Sequence, residues 1–113
     1  MSEPKDYARL QYIYVTTTGR KSGLPREIEI WFVERAGKFY ILAEHFFKAN
    51  WVQNIQQNPC IHLRFAKDEF PATARVLDET RDAETWQAVQ RLSREKYGWG
   101  EGLPVEISLD EGW

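Results

Sequence analysis

The chain has one cysteine, Cys60, in 113 residues, which excludes an intrachain disulfide and a thiolate metal cluster. It has only two histidines, His45 and His62. Cys60 and His62 fall on one face of the same segment, but two ligands do not make a metal site, and no metal is expected. No apolar run approaches the roughly 20 residues that a membrane helix needs, and residues 1–10 are polar and charged, without an apolar signal core. The expectation is a cytoplasmic protein with no membrane span. Positive charge is not in excess either: 15 Lys and Arg against 17 Asp and Glu give a net charge of −2. That argues against a broad nucleic-acid-binding face, although small barrels with exposed aromatics do bind bases. Repeats, low-complexity tracts and linkers are missing, so residues 1–113 read as one domain, with 1–6 disordered.

Aromatic rings are abundant. Five Trp, five Tyr and six Phe make up 14% of the chain. Such rings bury large areas in a core, and they also wall pockets for flat ligands and line subunit interfaces. Trp99 and Trp113 suit an interface.

One stretch stands out from this background. Residues 15–26 read Val-Thr-Thr-Thr-Gly-Arg-Lys-Ser-Gly-Leu-Pro-Arg, with three cations (Arg20, Lys21 and Arg26) and no acid. Fixed cations among hydroxyls and the exposed backbone N–H groups of a turn make a seat for phosphate or another dense anion. A solvated hairpin turn is the alternative reading of the same residues.

Periodicity supplies the frame. Residues 11–18 are rich in Tyr, Ile, Val and Thr and predict a strand, and 19–25 a turn. Residues 27–33 alternate, with Ile28, Ile30 and Phe32 on one face and Glu27, Glu29 and Trp31 on the other. The two glutamates read as a solvated face or an interface edge. A hairpin at 35–38 leads to a third strand at 39–43. Trp51, Val52 and Ile55 then fall at helical spacing until Asn58-Pro59 stops the helix. Strands follow at 60–66 and 70–77, with Pro71 marking an edge or a bulge. Residues 82–97 predict a longer helix with Trp86, Val89 and Leu92 inward and Glu84, Arg91, Arg94, Glu95 and Lys96 in water. A last strand covers 104–109. Six short antiparallel strands escape unpaired edges by curling into a small barrel whose openings the helices cover.

With these residues in place, the chain resembles the split β-barrel flavin and deazaflavin oxidoreductases of the pyridoxamine 5'-phosphate oxidase-like superfamily. It is most similar to the branch of deazaflavin-dependent nitroreductases and F420H2-dependent quinone reductases. The likeness rests on Thr16-Thr17-Thr18-Gly19-Arg20-Lys21-Ser22-Gly23 with Pro25-Arg26, and on Asn50-Trp51-Val52-Gln53-Asn54-Ile55 followed by Asn58-Pro59. It implies a mainly β (α+β), FMN-binding-like split barrel of six antiparallel strands with two covering helices, and a homodimer.

The same resemblance implies a cofactor groove across the barrel. Arg20, Lys21 and Arg26 would hold the phosphate, with Thr18 and Ser22 as hydroxyl donors. Ala43, Glu44 and His45 would pass their backbone along the ring, and Trp51 and Asn54 would close the other side. Coenzyme F420 is the first expectation and FMN the second. The activity implied is hydride transfer from reduced F420 to a quinone, nitro or similar electron-poor small-molecule acceptor. No residue has a certain catalytic role; His45 is a candidate donor to a substrate or ring oxygen. Glu44-His45-Phe46-Phe47 departs from the small residues frequent there in nitroreductase-like members. Bulk at that point would narrow the substrate side, which favours one alternative, a non-catalytic flavin, deazaflavin or haem carrier or sensor. An FMN-dependent oxidoreductase of the same fold is a second alternative, since FMN shares the phosphate and the flat tricyclic ring.

Overall fold

The computed structural model describes residue 7 and residues 10–110. The expected disorder at residues 1–6 and the interface role of Trp113 lie outside the described residues. In chain order the elements are β1 (Tyr12–Thr18), β2 (Pro25–Trp31), β3 (Val33–Arg35), β4 (Lys38–Ala43), a 3-10 turn (Phe46–Lys48), α1 (Asn50–Gln57), β5 (Cys60–Phe65), β6 (Asp68–Val76), α2 (Ala83–Tyr97) and β7 (Leu103–Leu109). No helix among them is long and apolar enough to cross a membrane.

All strands join one sheet in the order β2-β1-β5-β6-β7-β4-β3. Every neighbouring pair is antiparallel. The two edge strands, β2 and β3, are consecutive in the chain and separated by Phe32 alone. In a flat sheet of this order they would stand about 29 Å apart, six strand spacings. A one-residue link therefore requires the sheet to curl until its edges meet, which is the split barrel.

The strand count is seven rather than six, and Phe32 is the reason. The hydrophobic alternation of β2 runs on through Phe32, which is buried, so the period gives no break there. The backbone of Phe32 nevertheless leaves the sheet. Its N–H donates to the Tyr97 hydroxyl at 3.1 Å, and its carbonyl lies 2.8 Å from that hydroxyl and 3.0 Å from Lys96 Nζ. The end of α2 thus satisfies the polar groups that a sheet neighbour otherwise would. Lys96, expected in water, turns its ammonium to this seam and also donates to the Leu10 carbonyl at 2.9 Å. The burial this entails lowers its pKa.

Pro71, expected at an edge or a bulge, is not on an edge strand: β6 lies between β5 and β7, and Pro71 stands at the end of the β6–β7 ladder. Pairing with β7 starts one residue later, at Ala72 opposite Leu109. The Pro71 carbonyl accepts from Asp110 N–H at 3.1 Å just past those paired residues, so the proline removes only the terminal bond of that ladder.

Two apolar clusters hold the fold. Inside the barrel, Ile13, Val15, Ile41, Leu63, Val105 and Ile107 surround the rings of Phe32, Phe39 and Phe65. Outside it, Tyr40, Leu42 and Leu103 pack with Val52 of α1 and with Trp86 and Val89 of α2. Trp51 touches both clusters and so pins α1 across the barrel mouth.

Candidate functional site

Both glycines of the basic turn are demanded by its geometry. Gly23 has φ +73°, a conformation that L side chains rarely adopt. A Cβ on Gly19 would lie 2.7 Å from Ser22 Oγ and 3.2 Å from the Leu24 carbonyl. The turn is closed by Gly19 N–H donating to Leu24 O and Gly23 N–H to Gly19 O, both at 2.8 Å. Ser22 Oγ accepts from Leu24 N–H at 3.1 Å, which leaves the hydroxyl hydrogen available to a ligand.

Arg20 is fastened to α1. Its backbone N–H and Nη1 donate to Asn54 Oδ1 at 3.1 and 3.0 Å, while Asn54 Nδ2 donates to Thr17 Oγ1 at 3.1 Å. Nη2 reaches Asn50 Oδ1 at 3.3 Å and Nη1 the Asn50 carbonyl at 3.4 Å. These bonds join the two sequence blocks, 34 residues apart, that carry the family resemblance. Asn54 is buried and both ends of its amide are spent within the protein, so it positions Arg20. Replacing Asn54 with Ala should cost about 1–3 kcal/mol, because the buried Thr17 hydroxyl and the Arg20 N–H lose their partner. Urea unfolding measures this; a loss below about 0.5 kcal/mol would show that the clamp contributes nothing.

A cleft of about 900 Å³ opens beside this clamp, lined by the turn, by Arg26 and Ile28, and by His45, Lys48, Ala49, Asn50, Trp51 and Asn54. Among the described residues, four cations line it (Arg20, Lys21, Arg26 and Lys48) and no carboxylate does. The start of α1 also borders it. Ala49, in the capping position, offers the first-turn N–H groups no side-chain acceptor, and no acid lies in that turn. An anion in the cleft would meet fixed cations, a free hydroxyl hydrogen and an uncapped helix end.

A second groove of about 600 Å³ shares His45, Ala49 and Trp51 with the first. Its other walls are Tyr12, Ile30, Trp31, Leu42 and Trp99, with Glu29 and Glu44 at its margin. The Trp31 ring stacks on Tyr97 at 4.4 Å between centroids, 2° from parallel, which fixes its plane. Burial raises the Tyr97 phenol's pKa, so the hydroxyl remains a donor at neutral pH. The two recesses form one trough, basic at one end and aromatic at the other.

Of the residues named from sequence, Arg20, Lys21, Ser22, Arg26, His45, Trp51 and Asn54 line the basic cleft. Glu44 lines the aromatic groove, and Ala43 is buried at the end of β4 opposite Leu103. Thr18 lies elsewhere. It borders a separate recess of about 270 Å³ with Thr16, Cys60 and His62, because the odd positions of β1 face the core and the even ones face outward. Phe46 and Phe47 line neither part of the trough and are 39% and 50% exposed, so their bulk does not narrow it.

The sequence reading missed Lys48, Asn50 and Glu29. Lys48 precedes α1 and carried a readable signal, a cation at a helix start where cations are disfavoured. Asn50 was quoted only as part of a motif. Glu29 alternates as a solvated residue should, and it enters the trough only because β2 is an edge of the curled sheet.

The F420H(2)-dependent quinone reductase family model matches residues 4–110. Among solved structures, an F420-H2 dependent reductase (FDR-A) is 25% identical, with TM-score 0.64 over 88% of this chain and 94% of that one. The heme storage protein HutZ from Vibrio cholerae is 18% identical, with TM-score 0.76 over 94% of this chain and 86% of that one. A FAD-binding protein from Mesorhizobium loti is 8% identical, with TM-score 0.72 over 93% and 85%. The last two show the fold alone.

Proposed function

The chain belongs to the F420H(2)-dependent quinone reductase family, an oxidoreductase family, and from that premise we propose that it transfers hydride from reduced coenzyme F420 to a quinone, nitro or similar electron-poor aromatic acceptor. The observation that supports this most is the continuous trough, whose acid-free end carries four cations and whose other end is walled by Tyr12, Trp31, Trp51 and Trp99. Such a trough fits a flat ring system with an anionic tail.

When bound, the reduced cofactor supplies the hydride; a quinone that accepts it also takes up a proton and leaves as a hydroquinone. The protein's part is position, charge and dryness. Arg20, Lys21, Arg26 and Lys48 hold the anionic tail, with the Ser22 hydroxyl and the N–H groups of α1 as further donors. Trp51 walls the junction between the two ends. His45, at that junction, offers a donor to an oxygen of the ring or the acceptor. The indole and phenol rings keep water from the reacting face. The working unit is a homodimer, in keeping with the exposed Tyr12 and Trp31 on the outer sheet.

Titration with F420 and FMN separately, followed by fluorescence polarisation, tests the cofactor. F420 should bind at least about tenfold more tightly, a difference of about 1.4 kcal/mol. Comparable affinity for FMN would remove the preference, and tighter binding of FMN would reverse it. Reduced F420 should then be consumed in the presence of menadione; tight binding without turnover would make the protein a carrier.

A further inference from the structure

The aromatic end of the trough carries a charge of its own, opposite to that of the basic end. Among the described residues, Glu29 and Glu44 line it and no Lys or Arg does, whereas the basic cleft has four cations and no carboxylate. Neither glutamate is neutralised by an ion pair among the described residues. Glu29 accepts a hydrogen bond from the Tyr14 hydroxyl at 2.6 Å, which orients the carboxylate without removing its charge. The nearby Arg64 is engaged with Glu27 at 3.2 Å. Glu44 follows β4 directly and is exposed. Four rings share this groove with the two carboxylates, and ring faces attract cations as carboxylates do.

We infer that Glu29 and Glu44 make the aromatic end of the trough selective by charge, favouring flat cationic aromatic acceptors over neutral ones of the same shape and disfavouring anionic ones. The inference rests on the proposed function in assigning that end to the acceptor, but the selectivity itself belongs to the protein's own side chains. A unit charge about 6 Å from a carboxylate in water-like surroundings gains about threefold in affinity, so two carboxylates give up to about tenfold. Added salt screens most of that.

The decisive experiment uses the cofactor-free protein and two probes of nearly equal shape, quinoline and N-methylquinolinium, at a pH where quinoline is neutral. Chemical shifts of the indole N–H groups of Trp31, Trp51 and Trp99 report binding within the trough itself. The cation should bind at least about threefold more tightly at about 20 mM NaCl, with the advantage lost at about 0.5 M. The double variant Glu29→Gln with Glu44→Gln should bring the two affinities within about twofold. Equal affinities in the unaltered protein would overturn the inference, as would a preference that survives the double substitution or high salt. A companion measurement in the F420-loaded protein compares 1,4-naphthoquinone with its 2-sulfonate, for which kcat/KM should be about threefold to tenfold lower. Absence of turnover with both quinones would sink the oxidoreductase reading, and the binding measurement would still decide the charge selectivity.

Discussion

Replacing Arg20 and Lys21 together with alanine should weaken coenzyme F420 binding at least about tenfold, with unfolding of the cofactor-free protein changed by less than about 0.5 kcal/mol. A hydrogen bond to a charged group contributes about 1.5–3 kcal/mol, so losing even one such donor is enough for a tenfold to hundredfold effect. The fold should tolerate the change because the bond that docks the turn on α1 includes the backbone N–H of residue 20, which still donates to Asn54 Oδ1. The glycines that shape the turn are also untouched. Arg26 and Lys48 remain in the cleft, so some affinity should survive and should fall further with salt. Fluorescence titration of the double variant against the unaltered protein measures the effect. An unchanged dissociation constant would remove the basic cleft from the binding site, whatever the activity.

The second large effect is on stability. Replacing Phe65 with Ala should cost about 3–5 kcal/mol. The ring is fully buried in the barrel and stands at the centre of the aromatic cluster. Its centroid is 4.2 Å from Tyr7, 4.8 Å from Phe39, 5.9 Å from Phe32 and 6.2 Å from Phe70. Those partners come from β4, the β2–β3 link, β6 and the segment before β1, and they cannot collapse together into the space without moving the strands that carry them. The loss is a large share of the 5–15 kcal/mol that typically holds a domain together. Phe47→Ala is the matched control: that ring is 50% exposed, and the change should stay within about 0.5 kcal/mol. Urea denaturation of both variants makes the comparison. A loss below about 1.5 kcal/mol for Phe65→Ala would mean the barrel interior repacks freely.

The trough shows how far local signals reach. The Gly-Arg-Lys-Ser-Gly turn was legible because a turn is closed by residues within a few positions of one another. The cations Arg20 and Lys21 could therefore be read as a basic turn able to seat an anion, while the part of Ser22 as a hydroxyl donor came from the family resemblance. The short helix was legible for the same reason, through Val52 and Ile55 and the Asn58-Pro59 stop. That the two blocks face each other came from the family resemblance; the Asn54 clamp on Arg20 and Thr17 supplies the physical cause.

The departures trace to long-range contacts. Alternation has a period of two: it tells which face a residue takes but not which strand lies beside it, nor where backbone pairing stops. Phe32 therefore read as an ordinary strand residue, although α2 withdraws its backbone from the sheet. The family resemblance placed Thr18 with the anion site, although the pleat turns it to a separate recess.

The sequence by itself determined the class of fold, the number and place of the helices, and a basic turn able to hold an anion, all properties of residues near one another in the chain. Only the tertiary structure decided that Lys48 completes that basic site, that Glu29 and Glu44 give the far end the opposite charge, and that β2 and β3 close the barrel across a single residue. The reason is the curl of the sheet: it brings the two edge strands together, and the charge of a groove made at such a seam belongs to neither segment before they meet.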